Sequence, residues 1–219
     1  MSTPSVLDLA GRVPDAEDLD PVAAHLHAGG LVAYPTETVY GFGGLCTPDA
    51  VERVRALKRR TEDRPLLVVL RSAEDAAGLA WNEAARELAS VFWPGAVTLV
   101  LADPRGTFPT GVRSPEGTVA VRVSPHPLVA ALLERVGAPL TSTSANAPGE
   151  APARSGGEAL RAARLLGAGA EMLVVEAGPL PPSGPSTIVD CSGENPLVLR
   201  EGTVPTSRLR CVLPDLHAR

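Results

Sequence analysis

The segment Tyr34-Pro35-Thr36-Glu37-Thr38-Val39-Tyr40-Gly41-Phe42-Gly43-Gly44 combines hydroxyl side chains, one carboxylate and three glycines. It follows the apolar run Leu31-Val32-Ala33, which predicts a buried strand. Thr36, Thr38 and Tyr40 supply hydrogen-bond donors and acceptors that an ordinary connecting turn does not need. Glycine allows a backbone to approach a ligand closely. We therefore interpret the segment as a loop of a small-molecule site at a strand end.

The order of the predicted elements indicates the fold class. Strands are predicted at 31–34, 66–70, 97–101, 119–123, 172–175, 187–189 and 197–199, and helices at 20–30, 48–60, 82–92, 128–136 and 158–166. Asp20 is the predicted cap of the first helix, with Pro21 at its first position. The alternation of strands and helices predicts an α/β fold with a mixed sheet.

Composition limits the class of protein further. The 219 residues suit one large domain, and 44% hydrophobic with 3% aromatic residues predicts an aliphatic core. A net charge of −5 argues against a broad basic surface for nucleic acid. Cys46, Cys191 and Cys211 form no C-x-x-C pair, which favours a reducing cytoplasm over a disulfide framework. No apolar stretch approaches the roughly 20 residues that span a bilayer, so we expect no membrane segment.

A cationic cluster follows the second predicted helix. Lys58, Arg59, Arg60 and Arg64 fall within seven residues of an otherwise acidic chain. One interpretation is a solvated helix end whose cations are favoured by the helix dipole. The other is a phosphate-binding cluster, with bidentate arginines and a lysine point charge. Charge alone does not decide between them.

The run Thr141-Ser142-Thr143-Ser144-Ala145-Asn146 places small hydroxyls and an amide directly after a predicted strand. It has two interpretations: an edge strand with a helix cap, or part of a ligand site. Ligands of α/β sheets bind beyond strand ends. Since the loop at Thr36 also lies at a predicted strand end, the pairing of the two segments favours a shared site.

A third polar group interrupts an apolar strand. Thr118, Ala120 and Arg122 alternate along the predicted strand and therefore project from one face. An arginine among apolar residues needs a partner, which is either a buried salt bridge or an anionic ligand group. Ser186 and Arg200 repeat the pattern of polar groups at strand ends.

Several absent motifs exclude other site types. The chain has no G-x-x-x-x-G-K-[ST] loop, and Cys46 stands where a dinucleotide fingerprint needs its third glycine. H-E-x-x-H and G-x-S-x-G are also absent. His25 and His27 lie on an ordinary amphipathic helix, and a solvated or packed histidine is the simpler interpretation. Covalent serine catalysis is not expected.

Six motifs in order resemble the YrdC (TsaC-type) family of L-threonylcarbamoyl-AMP synthases. They are Pro35-Thr36-Glu37-Thr38-Val39-Tyr40-Gly41, Lys58-x-Arg60 with Arg64-Pro65-Leu66, Trp93-Pro94-Gly95, Val119-Ala120-Val121-Arg122-Val123, Thr143-Ser144-Ala145-Asn146 and Ser186-Thr187-Ile188-Val189-Asp190. The resemblance runs from about Leu19 to Gly202. It implies a twisted mixed sheet with flanking helices and an open, concave, cationic face.

The resemblance also implies a division of the chain. Residues 1–18 are expected to be an N-terminal extension, 19–204 the catalytic domain and 205–219 a C-terminal tail. The expected form is the short one, which lacks the extra C-terminal domain of longer relatives.

The activity that the resemblance implies joins L-threonine, bicarbonate or CO2, and ATP into threonylcarbamoyl-AMP and pyrophosphate. Formation of this product is the first step toward the N6-threonylcarbamoyl modification of tRNA adenosine. The implied partners are these substrates, Mg²⁺ carried by the nucleotide, and downstream tRNA-modification proteins, with a weak contact to tRNA or double-stranded RNA. The location expected is cytoplasmic, without a membrane.

Site roles are carried over by motif. The resemblance implies catalytic and triphosphate-binding roles for Lys58 and Arg60, nucleotide contacts for Thr118, Ser144, Asn146 and Arg200, and substrate contacts for Thr36, Tyr40, Arg64, Arg122, Ser142 and Ser186. Arg122 would receive the threonine carboxylate, and no residue is expected to bind a metal. Arg64 stands where many relatives carry neutral Asn or His, and Thr61 replaces a frequent proline.

Two alternatives stay open at this stage. One is a double-stranded RNA or tRNA-binding module that uses the concave face without catalysis, against which the net charge of −5 counts. The other is a YciO-like paralogue with the same fold and a different activity. The intact Lys58-x-Arg60 and Ser144-Ala145-Asn146 motifs favour the synthase.

Overall fold

The computed structural model describes residues 3–12, 14–60 and 64–218. Its strands are β1 (Ser5–Asp8), β2 (Leu31–Pro35), β3 (Tyr40–Gly43), β4 (Leu67–Leu70), β5 (Val97–Ala102), β6 (Thr118–Val123), β7 (Leu140–Ser144), β8 (Met172–Glu176), β9 (Thr187–Asp190), β10 (Leu197–Arg200) and β11 (His217–Ala218). Its α-helices are α1 (Ala16–His27), α2 (Pro48–Lys58), α3 (Glu83–Phe92), α4 (Pro127–Val136), α5 (Gly156–Leu165) and α6 (Thr206–Arg210), with a 3₁₀ turn at Ala73–Ala76.

The strands form one mixed sheet. Their order across the described part of the chain is β1-β8-β2-β3-β7-β4-β6-β5-β9-β10-β11. The β4–β6 and β5–β9 pairs are parallel, whereas the β3–β7 and β4–β7 pairs are antiparallel. The predicted α/β fold with a mixed sheet is confirmed.

The first helix begins earlier than predicted. Asp15 caps α1 by accepting a hydrogen bond from the Asp18 amide, and the Asp18 carboxylate accepts one from the Asp15 amide in return. Because this reciprocal pair satisfies two amides that would otherwise lack partners, the helix starts at Ala16. The prediction that Asp20 caps the helix was wrong, and Pro21 lies inside it.

The glycine-rich segment is a hairpin and not one long loop. β3 pairs antiparallel with β2, so only residues 36–39 form the tip. A Cβ added at Gly43 would lie 1.9 Å from the carbonyl oxygen of Thr141. A side chain at this position would therefore prevent the close approach of β3 to β7. Gly43 serves strand packing, in contrast to the ligand approach that we expected.

The hydroxyl run is itself a strand. Thr141 to Ser144 belong to β7, which lies inside the sheet between β3 and β4. The interpretation as an edge strand was wrong. Long-range pairing on both sides decides this position, and hydroxyl-rich composition conceals it in the sequence.

Helices cover the two faces of the sheet unequally. One face packs against α2, α3 and α5 in a cluster that includes Val54, Leu88 and Ala162. On the other face, α1 and α4 cover Val69 and Leu140 in a second cluster. Further along that second face, the side chains of β4, β5, β6, β7 and β9 line an open cavity.

Both ends of the described chain add strands to the sheet edges. β1 pairs with β8 in parallel, so part of the predicted N-terminal extension extends the sheet. β11 likewise pairs with β10, within the segment predicted as a tail. Over the described ranges, no helix has the length and apolar character that crossing a bilayer requires.

Candidate active site

The open part of the second face forms a cavity of about 520 Å³, which we call the hollow. The hollow is lined by Thr36, Thr38, Val39, Gly41, Arg60, Arg64, Pro65, Leu67, Thr98, Val100, Ala120, Arg122, Ser142, Thr143, Ser144, Pro152, Pro185, Ser186, Ile188, Leu199 and Arg200. A neighbouring cavity of about 580 Å³, which we call the side cavity, is lined by Lys58, Arg59, Arg60, Arg64, Ser144, Asn146, Pro148 and Gly149. Because Arg60, Arg64 and Ser144 line both, the two cavities adjoin.

The structure brings together most of the predicted site residues. Those that line the hollow are Thr36, Arg60, Arg64, Arg122, Ser142, Ser144, Ser186 and Arg200, and those confined to the side cavity are Lys58 and Asn146. They come from the hairpin tip, the end of α2 and the loop that follows it, β6, β7 and the loop that follows it, the loop before β9, and β10. Thr61 lies outside the described residues.

Tyr40 does not line either cavity. Its ring is fully buried in the cluster under α2, α3 and α5. Its hydroxyl donates to the carbonyl oxygen of Gly178 at 2.9 Å and lies 3.3 Å from Glu176 Oε1. Burial raises the pKa of this hydroxyl. Since β3 directs Tyr40 to the helix-covered face, we withdraw it as a substrate contact.

Thr118 is also outside both cavities, although it shares a face of β6 with Ala120 and Arg122. It lies at the first residue of β6, where its Oγ1 is 2.9 Å from the Ser114 hydroxyl. The loop before the strand therefore engages this side chain. The prediction that Thr118 contacts the nucleotide is not supported by its position.

Lys58 holds the end of β7. From the last turn of α2, its Nζ donates to the carbonyl oxygen of Ser144 at 2.9 Å, to that of Asn146 at 2.5 Å and to Asn146 Oδ1 at 2.9 Å. Burial, aided by the neighbouring charge of Arg60, lowers the pKa of Lys58 to about 8. The ammonium thus directs three donors at three oxygens, while its charge faces the side cavity.

Composition contains a signal for Lys58 that our sequence reasoning missed. It is the single lysine among the 20 lysine and arginine residues of the chain. A compact ammonium can direct three donors at oxygens grouped around one point, whereas a planar guanidinium cannot. The position of this single lysine, with three oxygens around its Nζ, fits that geometric difference.

Arg60 lies between the two cavities. Its Nη2 donates to Thr143 Oγ1 at 2.8 Å, and its Nη1 donates to the carbonyl oxygens of Arg64 and Pro65 at 3.2 and 3.1 Å. Burial and the charge of Arg64 lower its pKa. These bonds fix the guanidinium at the junction of the cavities. Thr143, which anchors it, is a lining residue that the predicted set did not include.

Arg122 forms a buried salt bridge, one of the two partners that the sequence left open, and it also faces the cavity where an anionic ligand group could bind. Its Nη1 donates to Glu37 Oε1 at 2.8 Å, a salt bridge in which the Arg122 side chain is 4% exposed. It also lines the hollow. Its Nε is buried, and no hydrogen-bond acceptor reaches that atom among the residues described. Arg122 is therefore held by a buried ion pair and still has an unpaired donor.

Arg200 lines the hollow from the end of β10. Its Nη2 donates to the carbonyl oxygen of Ser186 at 2.8 Å, and the Ser186 hydroxyl lies 2.9 Å from Thr98 Oγ1. Burial and the charge of Arg122 lower the pKa of Arg200. Two arginines are thus close enough to repel each other, an arrangement that an anionic ligand would relieve.

Hydroxyl groups at the hairpin tip complete the hollow. Thr36 Oγ1 donates to the carbonyl oxygen of Val39 at 2.8 Å and lies 2.9 Å from Thr38 Oγ1. Both threonines are nearly inaccessible, with exposures of 1% and 2%. The tip is therefore tied to itself and presents ordered hydroxyls to the hollow.

The charge balance of the lining identifies a class of ligand. Arg60, Arg64, Arg122 and Arg200 line the hollow, and no Asp or Glu does so among the residues given a described position. The described lining of the side cavity also contains no Asp or Glu. Guanidinium groups and hydroxyls bind phosphate and carboxylate oxygens. The fold and the site thus define an α/β protein with an open cavity on one sheet face, whose arginines and hydroxyls have the chemistry to bind a small polyanion.

Comparison with known proteins narrows this class. Residues 24–202 match the profile of the Sua5/YciO/YrdC family, which is described as telomere recombination. The match covers most of the chain, so the protein belongs to this family. The resemblance inferred from six sequence motifs is confirmed.

Similar proteins carry a consistent name. A threonylcarbamoyl-AMP synthase of Bacillus subtilis is 36% identical over 202 residues, which are 89% of this chain and 56% of that protein. One from Xanthomonas campestris pv. campestris is 43% identical over 152 residues, 65% of this chain and 79% of that protein. The chain thus spans little more than half of the Bacillus relative.

A solved structure shares the fold. P. abyssi Sua5, complexed with L-threonine, superposes with a TM-score of 0.88 at 29% identity. The superposition covers 98% of this chain and 62% of the Sua5 chain.

Proposed function

We propose that this protein is an L-threonylcarbamoyl-AMP synthase, a nucleotidyltransferase that uses L-threonine, bicarbonate or CO2, and ATP. The observation that carries the proposal is the convergence of arginines from separate segments on one hollow whose described lining has no carboxylate. The names of the relatives and the threonine bound to P. abyssi Sua5 support the choice of substrates.

The two cavities suggest a division of the substrates. We assign the triphosphate to the side cavity and its junction with the hollow, where Lys58, Arg60 and Arg64 supply positive charge. Lys58 acts there through its charge and by holding Asn146, since its three donors already engage protein oxygens. Arg60 remains close enough to both cavities to contact phosphate oxygens.

We assign L-threonine to the end of the hollow that contains the hairpin tip. The unpaired Nε of Arg122 is the donor that a carboxylate would satisfy. Thr36, Ser142 and Ser186 supply hydroxyls around this position. For the nucleotide, Ser144, Asn146 and Arg200 are the remaining proposed contacts.

The proposed reaction has two steps. The neutral amine of threonine adds to CO2 and loses one proton, which gives a carbamate; when bicarbonate is the source, one water is released. A carbamate oxygen then attacks the α-phosphorus of ATP in line, and the bond to the β-phosphate oxygen breaks to release pyrophosphate. Orientation and fixed positive charge are the main sources of rate for such transfers.

Mg²⁺ is proposed to arrive with ATP. Within the described ranges, no group of three or more His, Cys, Asp or Glu side chains is placed to hold a metal ion. The donors on this face are cationic or hydroxyl groups, which suit phosphate oxygens better than a cation. The phosphates themselves would therefore carry the Mg²⁺.

A direct assay tests the proposal. Purified protein with all three substrates should form threonylcarbamoyl-AMP, detected by mass spectrometry, and should release pyrophosphate only when threonine and bicarbonate are present. Arg60→Ala should lower this rate by about tenfold or more, as expected for losing a charged contact to the transferring group. If the wild-type protein forms no adenylate when all three substrates are present at saturating concentrations, the proposed function is refuted.

The competing RNA-binding interpretation makes a different prediction. A module that contacts several phosphates loses affinity steeply as salt rises. ATP consumption that depends on threonine and proceeds without RNA would instead support the enzyme. The YciO-like interpretation is tested by the same product analysis.

We further propose a cytoplasmic location and downstream tRNA-modification proteins as acceptors of the product. Cys46, Cys191 and Cys211 are free thiols in the structure, as a reducing compartment favours.

A further inference from the structure

Glu37 at the hairpin tip bridges two points near the end of β6. Its Oε1 accepts a hydrogen bond from Arg122 Nη1 at 2.8 Å, and its Oε2 accepts one from the Ser124 hydroxyl at 2.6 Å. The Glu37 side chain is 17% exposed and does not line the hollow. Both carboxylate oxygens therefore point away from the proposed substrates, toward the strand that carries Arg122.

The bridge is anchored on both sides. Ser124 is 4% exposed, and its hydroxyl also accepts the backbone amide of His126 at 3.2 Å, at the start of α4. On the other side, Arg122 Nη1 lies 3.4 Å from Thr38 Oγ1. The carboxylate is thus fixed between the hairpin tip, β6 and α4.

One edge of the Arg122 guanidinium is occupied in this way. The contacts to Glu37 and Thr38 use Nη1, whereas the buried Nε has no acceptor among the described side chains and backbone. A guanidinium is planar, so fixing one nitrogen and the plane fixes the direction of the remaining donors. Glu37 is the group that determines this direction.

We infer that Glu37 is a positioning residue that orients Arg122 so that its free donors receive the carboxylate of the amino-acid substrate. The inference rests on the proposed function for the identity of that substrate. The two hydrogen bonds fix both oxygens of the Glu37 carboxylate, so the carboxylate cannot swing with the hairpin tip and Arg122 Nη1 is held at one point.

The test compares L-threonine with L-threoninamide, which lacks the carboxylate charge. Calorimetry would measure the Kd of both ligands for the wild-type protein, Glu37→Gln and Glu37→Asp. We expect the wild type to prefer threonine. Glu37→Gln should lower this preference by about tenfold, because one amide oxygen cannot accept from both Arg122 and Ser124, so the guanidinium loses its fixed direction. Glu37→Asp keeps the charge and should restore part of the preference.

Glu52→Gln is the matched control, because the exposed Glu52 side chain forms an ion pair with Arg55 and neither residue lines the hollow. It should leave the preference within about twofold of the wild type. The KM for ATP should also change little in Glu37→Gln, since the triphosphate is assigned to other residues. If Glu37→Gln does not fold, Ser124→Ala removes one anchor of the same bridge and should reduce the preference in the same direction.

An unchanged preference in the folded variants would overturn the inference. Equal weakening of threonine and threoninamide would overturn it as well, because that result indicates a structural role without orientation of Arg122. The proposed function fails separately: a wild-type protein that prefers threonine but forms no adenylate would refute the enzyme and leave the role of Glu37 intact. A wild-type protein that binds neither ligand would overturn both.

Discussion

The substitution Lys58→Arg tests whether geometry, in addition to charge, requires the single lysine of this chain. Lys58 Nζ donates to three oxygens at 2.9, 2.5 and 2.9 Å, all belonging to Ser144 and Asn146. A guanidinium keeps the charge, but its donors lie in one plane on three separate nitrogens and cannot reach three oxygens that surround a single nitrogen position. We expect arginine to lose about two of the three hydrogen bonds.

The magnitude follows from these bonds. A hydrogen bond to a charged group contributes about 1.5–3 kcal/mol when buried, and water would replace part of the loss because Lys58 is only partly buried. We therefore expect the free energy of unfolding to fall by about 1–3 kcal/mol. For a protein of this size, each kcal/mol lowers Tm by about 2–4 °C. The loss of a fixed Asn146 should also raise the KM for ATP by about tenfold.

Urea denaturation and steady-state pyrophosphate release measure both effects. Arg53→Lys is the matched control, since Arg53 lies on the same helix, is exposed, donates to the carbonyl oxygen of Gly29 and lines neither cavity. Its unfolding free energy should stay within about 0.5 kcal/mol of the wild type. If Lys58→Arg equals the wild type in stability and in the KM for ATP, the three-oxygen contact does not explain the lysine.

Four further predictions concern packing, the pKa of Lys58 and charge screening. Gly43→Ala should lower the free energy of unfolding by about 3 kcal/mol in urea denaturation, because the added Cβ would lie 1.9 Å from the carbonyl oxygen of Thr141. Gly157→Ala is the control and should be neutral or stabilising, since the nearest atom to its Cβ is 4.0 Å away. Equal effects of the two variants would contradict the packing argument. The pKa of Lys58 is about 8 in the folded protein and 10.5 for a free lysine, so unfolding takes up a proton between pH 8 and 10.5. The contribution of Lys58 to the free energy of unfolding should therefore rise with pH across this range, as urea denaturation at several pH values would measure. ATP should raise that pKa, so above pH 8 its binding should take up a proton, seen as a buffer-dependent binding enthalpy in calorimetry; a buffer-independent enthalpy would argue against phosphate near the ammonium. Arg64→Ala should raise the KM for ATP by about tenfold at low salt and by less at high salt, because Arg64 is exposed and its charge is screened; a salt-independent effect would contradict an electrostatic role.

The sequence alone was sufficient for the fold class, and most of the predicted site residues line the two cavities. Aliphatic runs predicted β5 and β6 to within one residue, and helical spacing with a closing glycine predicted α4. These signals are local, because alternation and the 3.6-residue period appear within a single segment. The motifs around Arg60 and Ser144 could also be recognised in the sequence, since residue type and chain order do not depend on folding.

Other features were not predicted, one because of a local capping pair and another because of contacts between distant segments. The Asp15–Asp18 capping pair displaced the predicted start of α1, and β7 proved to be an internal strand although its composition is hydroxyl-rich. Strand pairing is a long-range property, so neither neighbour of β7 can be inferred from its own residues. The short strands β1 and β11 had no periodicity long enough to predict.

Only the tertiary structure decided which polar side chains share the hollow. Tyr40 has the same hydrogen-bonding chemistry as its neighbours, yet β3 directs it to the helix-covered face. Glu37 and Arg122 are 85 residues apart in sequence and nevertheless form one buried ion pair. Residue type determines what a side chain can bind, and the strand face and the helices that cover it determine whether a ligand can reach that side chain.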